Sequence, residues 1–206
     1  MSLKTFTHEA RADFKTVGAV APSSPVLRDA MIRPLPLEYA RVVVEVGCGT
    51  GVMTQGLLKR MPAGAKLLGF EINPRFLEHL KSSVKDSRME LIEAGAENLR
   101  EEVQRRGFKE VDAALSSLPL AFMTEEQRGK FLGGLTEVLS QDGVFTQFRY
   151  LTGVQLKNGR FEIFRLKEVL LRYFSSVKYS IVWRNLPPAF VFACRGPLKG
   201  GKSKSS

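Results

Sequence analysis

Cysteine and histidine are scarce: Cys48, Cys194, His8 and His79 are all that the 206 residues contain. Neither a disulfide framework nor a zinc-ligand spacing can be built from them, so a reducing compartment suits the chain and no metal site is expected. The two histidines read most simply as surface residues. Long apolar runs are absent too, none approaching the roughly 18 to 20 residues that a membrane-spanning helix needs. The N-terminus lacks the apolar core of a signal peptide, and a cytoplasmic protein is expected. Acid is the remaining shortage, with 21 Asp and Glu against 31 Lys and Arg. The resulting net charge of +10 attracts something anionic, either nucleic acid or an acidic membrane surface, and charge alone does not choose.

What is present fits one α/β domain, with 44% hydrophobic and 25% charged residues. Three stretches are expected. Residues 1–35 mix Phe6, Phe14, Val17, Val20, Val26 and Leu27 with basic side chains and read as an N-terminal cap or an interfacial helical segment. Residues 36–195 form the main domain, and 196–206 a basic, disordered tail rich in Gly, Ser and Lys.

Within the domain, β-rich runs alternate with helical patterns. Strands are expected at 41–46, 66–71, 89–93, 111–116 and 144–150, then two more at 177–183 and 190–194. Helices are expected at 52–60, after Asn73-Pro74, at 97–106, from a Thr124 cap to Leu139 with Gln127 completing a capping box and Asp142-Gly143 stopping it, and at 166–173. The segment Arg184–Pro188 is too short for a crossover helix, so the last two strands should be antiparallel. Five parallel strands ending in a hairpin describe a class I methyltransferase sheet better than a simple nucleotide-binding one.

The first strand opens into Glu45-Val46-Gly47-Cys48-Gly49-Thr50-Gly51, followed by a helix. Gly47, Gly49 and Gly51 remove the side chains that would keep a ligand from the backbone amides. Glu71 closes the second strand, where an acid can accept both ribose hydroxyls of a nucleoside. A dinucleotide fingerprint would need a small residue at Val52, and a tight structural turn without a ligand stays open. Glu45, a carboxylate ending a buried strand, needs a partner, and the α-amino group of S-adenosylmethionine would provide one. A second glycine motif, Gly196 to Ser203, spells the phosphate-loop pattern but leaves no room for the helix that its chemistry requires, since the sequence stops at Ser206.

With Glu45–Gly51, Glu71 and the signature Arg184-Asn185-Leu186-Pro187-Pro188-Ala189, the sequence resembles the bacterial phospholipid N-methyltransferases, which are similar in turn to the rRNA adenine dimethyltransferases. The likeness runs from Val17-Gly18-Ala19-Val20-Ala21-Pro22-Ser23-Ser24 through Ser116-Ser117-Leu118-Pro119 and Tyr150 to that signature. It implies an α/β, Rossmann-like class I methyltransferase: a mostly parallel seven-stranded sheet, a C-terminal antiparallel hairpin and helices on both faces. It implies S-adenosyl-L-methionine as cofactor, with the three glycines along its methionine part, Glu45 at its amino group and Glu71 at its ribose. On the adenine side the family has an Asp where this chain has Gly95, which leaves Ala96 lining the site and Glu97, Asn98 or backbone to read the amino group.

For the acceptor, the resemblance implies positioning by Ser116, Leu118, Pro119 and Tyr150, with Tyr150, Arg184 and Asn185 at the lipid headgroup and no general base assigned. A strand end at Leu118-Pro119, an ordinary amphipathic Tyr150 and a plain hairpin connection at 184–188 stay open as alternatives. The expected activity is methylation of phosphatidylethanolamine toward phosphatidylcholine by a cytoplasmic protein held peripherally at an anionic membrane. Two alternatives remain. Adenine N6 methylation of rRNA or another nucleic acid is disfavoured because the acceptor motif begins with Ser116 and ends at Leu120 rather than an aromatic, and because no residues are left for a helical appendage. The other is a non-enzymatic binding protein that keeps the fold.

Overall fold

The computed structural model describes residues 24–151, 154–157 and 160–200. Most of the Val17–Ser24 motif, the aromatic residues before it and the last six residues lie outside these. The seven-stranded sheet runs β3-β2-β1-β4-β5-β9-β8, where β1 is Val42–Val46, β2 Lys66–Phe70, β3 Met89–Ile92, β4 Val111–Ser116, β5 Leu139–Tyr150, β8 Phe174–Val182 and β9 Ala189–Pro197. Strands β1 to β5 pair in parallel, and β9 lies antiparallel between β5 and β8. Strand order reverses at β1, whose neighbours are β2 and β4, and open α/β sheets bind ligands at such a switch point beside the carboxyl ends of the strands.

Every residue of β1 is buried, as a central parallel strand covered on both faces requires. Val42, Val44 and Val46 join Leu99, Val103, Phe131, Leu132 and Leu135 in one core layer. These come from α4 (Leu99–Arg105) and α5 (Glu125–Val138). Val43 faces the other way, into a layer built from Leu27, Met31 and Ile32 of α1 (Pro25–Ile32) and Met53 and Leu57 of α2 (Val52–Arg60). The period of two along β1 therefore puts Glu45 on the α1/α2 side.

Helix starts follow local chemistry. Ser24 caps α1 by accepting from the Leu27 amide, with Pro25 in the first turn. Asn73 and Pro74 do the same for α3 (Pro74–Ser83), and both halves of the Thr124–Gln127 capping box are formed on α5. The helix expected to reach Leu139 ends at Val138, but Asp142-Gly143 is not what stops it: β5, expected from Val144, already begins at buried Leu139, which pairs with Val111. The next matched pair is Ala113 with Val144, so Asp142 and Gly143 sit in a bulge of β5. A hairpin of β6 (Val154–Lys157) and β7 (Arg160–Ile163) leaves the end of β5 and was not anticipated. The helix expected at 166–173 is shorter, α6 being Leu166–Leu170. The tail boundary expected at Gly196 falls inside β9, because Gly196 takes the left-handed φ of 61° and lets Pro197 pair with Phe174. That pairing keeps Gly196, the first glycine of the phosphate-loop pattern, within a strand.

Candidate functional site

The loop after β1 is held by its own amides. Gly47 N–H and Cys48 N–H donate to Phe70 O at 2.9 and 3.3 Å, Gly49 N–H to Glu71 Oε2 at 2.9 Å, and Gly51 N–H to Cys48 O at 2.9 Å. The expectation of bare amides awaiting a ligand is thus corrected at Gly47, Gly49 and Gly51. A dinucleotide pyrophosphate needs free donors at such a turn, and here they are committed. The glycines contribute space instead. A Cβ at Gly49 would meet nothing nearer than Phe76 at 4.0 Å, whereas one at Gly47 would press on Leu118 Cδ2 at 3.0 Å. Gly51 caps α2 without a side-chain bond and packs against Leu80 of α3, so its first need is helix packing. Uncapped, the first turn of α2 keeps the positive end of its dipole at the loop, suited to a carboxylate.

Glu45 lies fully buried beneath this loop. Thr54 of α2 donates its hydroxyl to Glu45 Oε2 at 2.7 Å, while Oε1 is buried without a partner. Burial dominates the carboxyl's titration and pushes its pKa up to about 8, with hydrogen bonds from Thr54 and Cys48 pulling the other way. A buried acceptor with an unused oxygen is a standing cost unless a donor arrives, and a ligand ammonium group is such a donor. Thr54 is a site residue the sequence reading missed. A hydroxyl one turn into the helix after a buried strand carboxylate was the available signal.

Glu71 is buried and works as a clamp. Its Oε1 accepts from Ile72 N–H and Asn73 N–H, both at 2.9 Å, and its Oε2 from Gly49 N–H. A carboxylate offers about four acceptor positions, so three such bonds orient it and leave little more than one for a ribose hydroxyl. On the far side of β2, Gly95 precedes the 3-10 turn Ala96–Asn98, in which Ala96 is buried. The Glu97 carboxylate folds over Gly95 into the space a side chain there would take, and its Oε2 is buried and unpartnered. Of the candidates at the adenine edge, Glu97 therefore has the acceptor to spare.

The register places the acceptor motif beside the loop. Val46 pairs with Ser116, and Ser116 with Gln147, forming one row across β1, β4 and β5. Ser117 N–H donates to Val46 O at 2.9 Å. Ser116 is fully buried and its Oγ accepts from Leu118 N–H at 3.1 Å, so it shapes the motif from below and does not face an acceptor. Leu118 and Pro119 are half-buried, Leu118 against Gly47. Gln147, which the sequence reading also missed, donates from Nε2 to Leu118 O and Phe148 O at 3.0 Å each, leaving Oε1 buried without a partner. A glutamine in a strand otherwise reading Val144-Phe145 was its signal.

Tyr150 stands three residues beyond the Val46–Ser116–Gln147 row, roughly 10 Å along β5. It is half-buried, set edge-on to Phe148 at 5.3 Å, and burial raises its phenol pKa, so the hydroxyl acts as a donor and not as a base. Tyr150 pairs with Ala189, which also pairs with Val182, so the turn 183–188 flanks it at the same sheet edge. Arg184 is exposed there. Asn185 is buried: its amide donates to Pro187 O at 2.7 Å and its Oδ1 accepts from Ser24 Oγ at 2.5 Å. Its role is to fix the turn to the start of α1, which does not bring its side chain to a substrate.

Residues 43–143 match the family described as "Methyltransferase domain". An ornithine lipid N-methyltransferase of Singulisphaera acidiphila is 30% identical over 181 residues, covering 87% of this chain and 88% of that one. Among solved structures, the 1,6-didemethyltoxoflavin-N1-methyltransferase of Burkholderia thailandensis, with S-adenosylhomocysteine bound, superposes with a TM-score of 0.66 at 19% identity, over 95% of this chain and 88% of that one. The N-methyltransferase NodS of Bradyrhizobium japonicum gives 0.60 at 14% identity, over 85% and 98%. At such identities these two structures bear on the fold alone.

Proposed function

The chain belongs to the class I S-adenosylmethionine-dependent methyltransferases, and from that premise we propose that it methylates the primary amine of a membrane lipid headgroup, phosphatidylethanolamine in the first instance. The observation that carries this reading is the likeness to the ornithine lipid enzyme, which spans nearly all of both chains. Ornithine lipid and phosphatidylethanolamine share an amine held at a membrane surface, so the reading takes the common chemistry first and the particular headgroup second.

The residues present fit the cofactor. The unpartnered Glu45 Oε1 suits its ammonium group, the open face at Gly49 gives it room, and Glu71 and Glu97 offer acceptors to ribose and adenine. Bound there, S-adenosylmethionine supplies a methyl group activated on a sulfonium. The chain's own task is alignment and exclusion of water. Leu118 and Pro119, held by Ser116 and Gln147, form an apolar lip beside Gly47 against which an incoming amine is steered. The amine must arrive with its lone pair free. The segment Ser116–Leu120 contains no carboxylate and Tyr150 keeps its proton, so the departing proton goes to water or to the lipid's own phosphate. The Tyr150 ring can attract the cationic headgroup across its face.

Labelled S-adenosylmethionine is incubated with the protein and, in separate arms, vesicles containing phosphatidylethanolamine, vesicles containing ornithine lipid, and total RNA. Label in the phosphatidylethanolamine fraction is the expected result. Label in ornithine lipid alone would move the headgroup while keeping the lipid amine. Label in RNA alone would replace the reading with nucleic-acid methylation, and none in any arm would leave a binding protein that keeps the fold.

A further inference from the structure

Resting on the aminolipid reading, we propose that the turn between β8 and β9 is the membrane-contacting element: Trp183 and Leu186, either side of Arg184, enter the interfacial layer of an anionic lipid surface and hold the acceptor edge against it. Trp183 is 67% exposed and Leu186 86%. The turn that carries them is pegged from inside. Asn185 points inward to Ser24 and Pro187, and Leu151 N–H donates to Pro188 O at 2.8 Å. Two large apolar side chains are thereby presented to water on a fixed support, a standing cost that covering them would recover.

The chemistry of the turn selects what covers it. Tryptophan joins a broad apolar ring to one N–H donor and favours the boundary between headgroups and acyl chains. Arg184 between the two apolar residues is placed for lipid phosphates while its stem lies along the apolar layer. Val26, 39% exposed, adds apolar surface from the first turn of α1, beside the Ser24–Asn185 bond. A second copy of this chain would bring another +10 to the contact, and a polynucleotide would leave Leu186 uncovered. An anionic bilayer satisfies charge and apolar surface together. The position also fits: Val182 and Tyr150 both pair with Ala189, so a bilayer meeting the turn lies beside Tyr150.

Trp183 is the only tryptophan in the chain, so its emission reports this turn alone. With S-adenosylmethionine present, vesicles of phosphatidylglycerol and phosphatidylethanolamine should shift the full-length protein's emission to the blue, and brominated acyl chains should quench it. Phosphatidylcholine vesicles should do so at least about tenfold more weakly per lipid, a gap narrowing with salt. Leu186→Gln should lower partitioning onto the anionic vesicles about fivefold or more. Trp183→Gln should keep its rate on short-chain phosphatidylethanolamine dispersed as monomers and lose most of its rate on vesicles. Unshifted, unquenched emission in a protein that methylates the monomeric lipid would overturn the inference and leave the substrate reading intact. A shift produced by raising protein concentration alone, or by RNA and not vesicles, would overturn it as well. Quenching by brominated lipid without methylation of any aminolipid would uphold the membrane contact and sink the substrate reading.

Discussion

Glu45 offers the sharpest test of the cofactor site, because one buried group links binding, stability and pH. In the free protein its pKa is raised from 4.5 to about 8, chiefly by burial. The neutral form is therefore the one the fold favours. The stability it contributes is complete below the unfolded value and is lost as pH rises through 8. The loss amounts to about 3 to 4 kcal/mol between pH 5 and 8, at about 1.4 kcal/mol per unit. Glu45→Gln keeps the shape without the titration, so denaturation curves of the free proteins should converge at low pH, diverge from about pH 5 upward and run parallel above about 8, the variant being the more stable. Binding has the opposite sign. If the cofactor's ammonium pairs with the carboxylate, Glu45 must give up its proton. At pH 7 only about one-tenth of it is ionised beforehand, so binding should release about nine-tenths of a proton. Calorimetry in buffers of different ionisation enthalpy counts that proton, and the Gln variant, binding the same ligand, subtracts the ligand's own titration. Wild-type affinity should then rise about tenfold from pH 6 to 7 relative to the variant and level off above 8. Equal proton release in the two proteins, with equal affinity, would show that the ligand never meets Glu45.

Substitutions at two further positions separate the cofactor side from the acceptor side. Glu71→Ala should weaken S-adenosylmethionine binding by about 1 to 3 kcal/mol and also lower the melting temperature, since it strips three backbone amides of a charged acceptor. Unchanged calorimetric affinity in the folded variant would remove Glu71 from the nucleoside site. Tyr150→Ala should lower turnover about tenfold or more with S-adenosylmethionine affinity nearly intact, and Tyr150→Phe, which keeps the ring, tells the aromatic role from the hydroxyl's. Loss of cofactor binding in folded Tyr150→Ala would move the residue to the other side of the site.

The elements that local chemistry determines were legible in the sequence. Thr124 and Gln127 announce a helix start by themselves, as does Asn73-Pro74, and the helix at Val52–Arg60 follows from the glycine loop before it. The end of α5 was read to within one residue, but the early start of β5 was not legible, because Asp142-Gly143 reads as a plain helix stop only when nothing nonlocal competes. Leu139 pairs across to Val111, and burying it in the sheet overrides the local signal, so the glycine serves a bulge instead. The β6–β7 hairpin escaped for a different reason, as strands this short carry too few residues to show a period.

At the site, residue type singled out the positions but not what each side chain or amide does there. Glycine at 47, 49 and 51 was read as bare amide, yet the amides are consumed within the loop and the benefit is clearance. Asn185 and Ser116 were read as facing a substrate. Both turn inward, one to Ser24 and the other to the Leu118 amide, because a short polar side chain at a turn bonds its neighbouring backbone or cap most readily. The consequence is directional. With Asn185 turned inward as a peg, its neighbours Trp183, Arg184 and Leu186 are left exposed, so the turn that withdraws Asn185 from the surface is the same one proposed to meet a lipid surface.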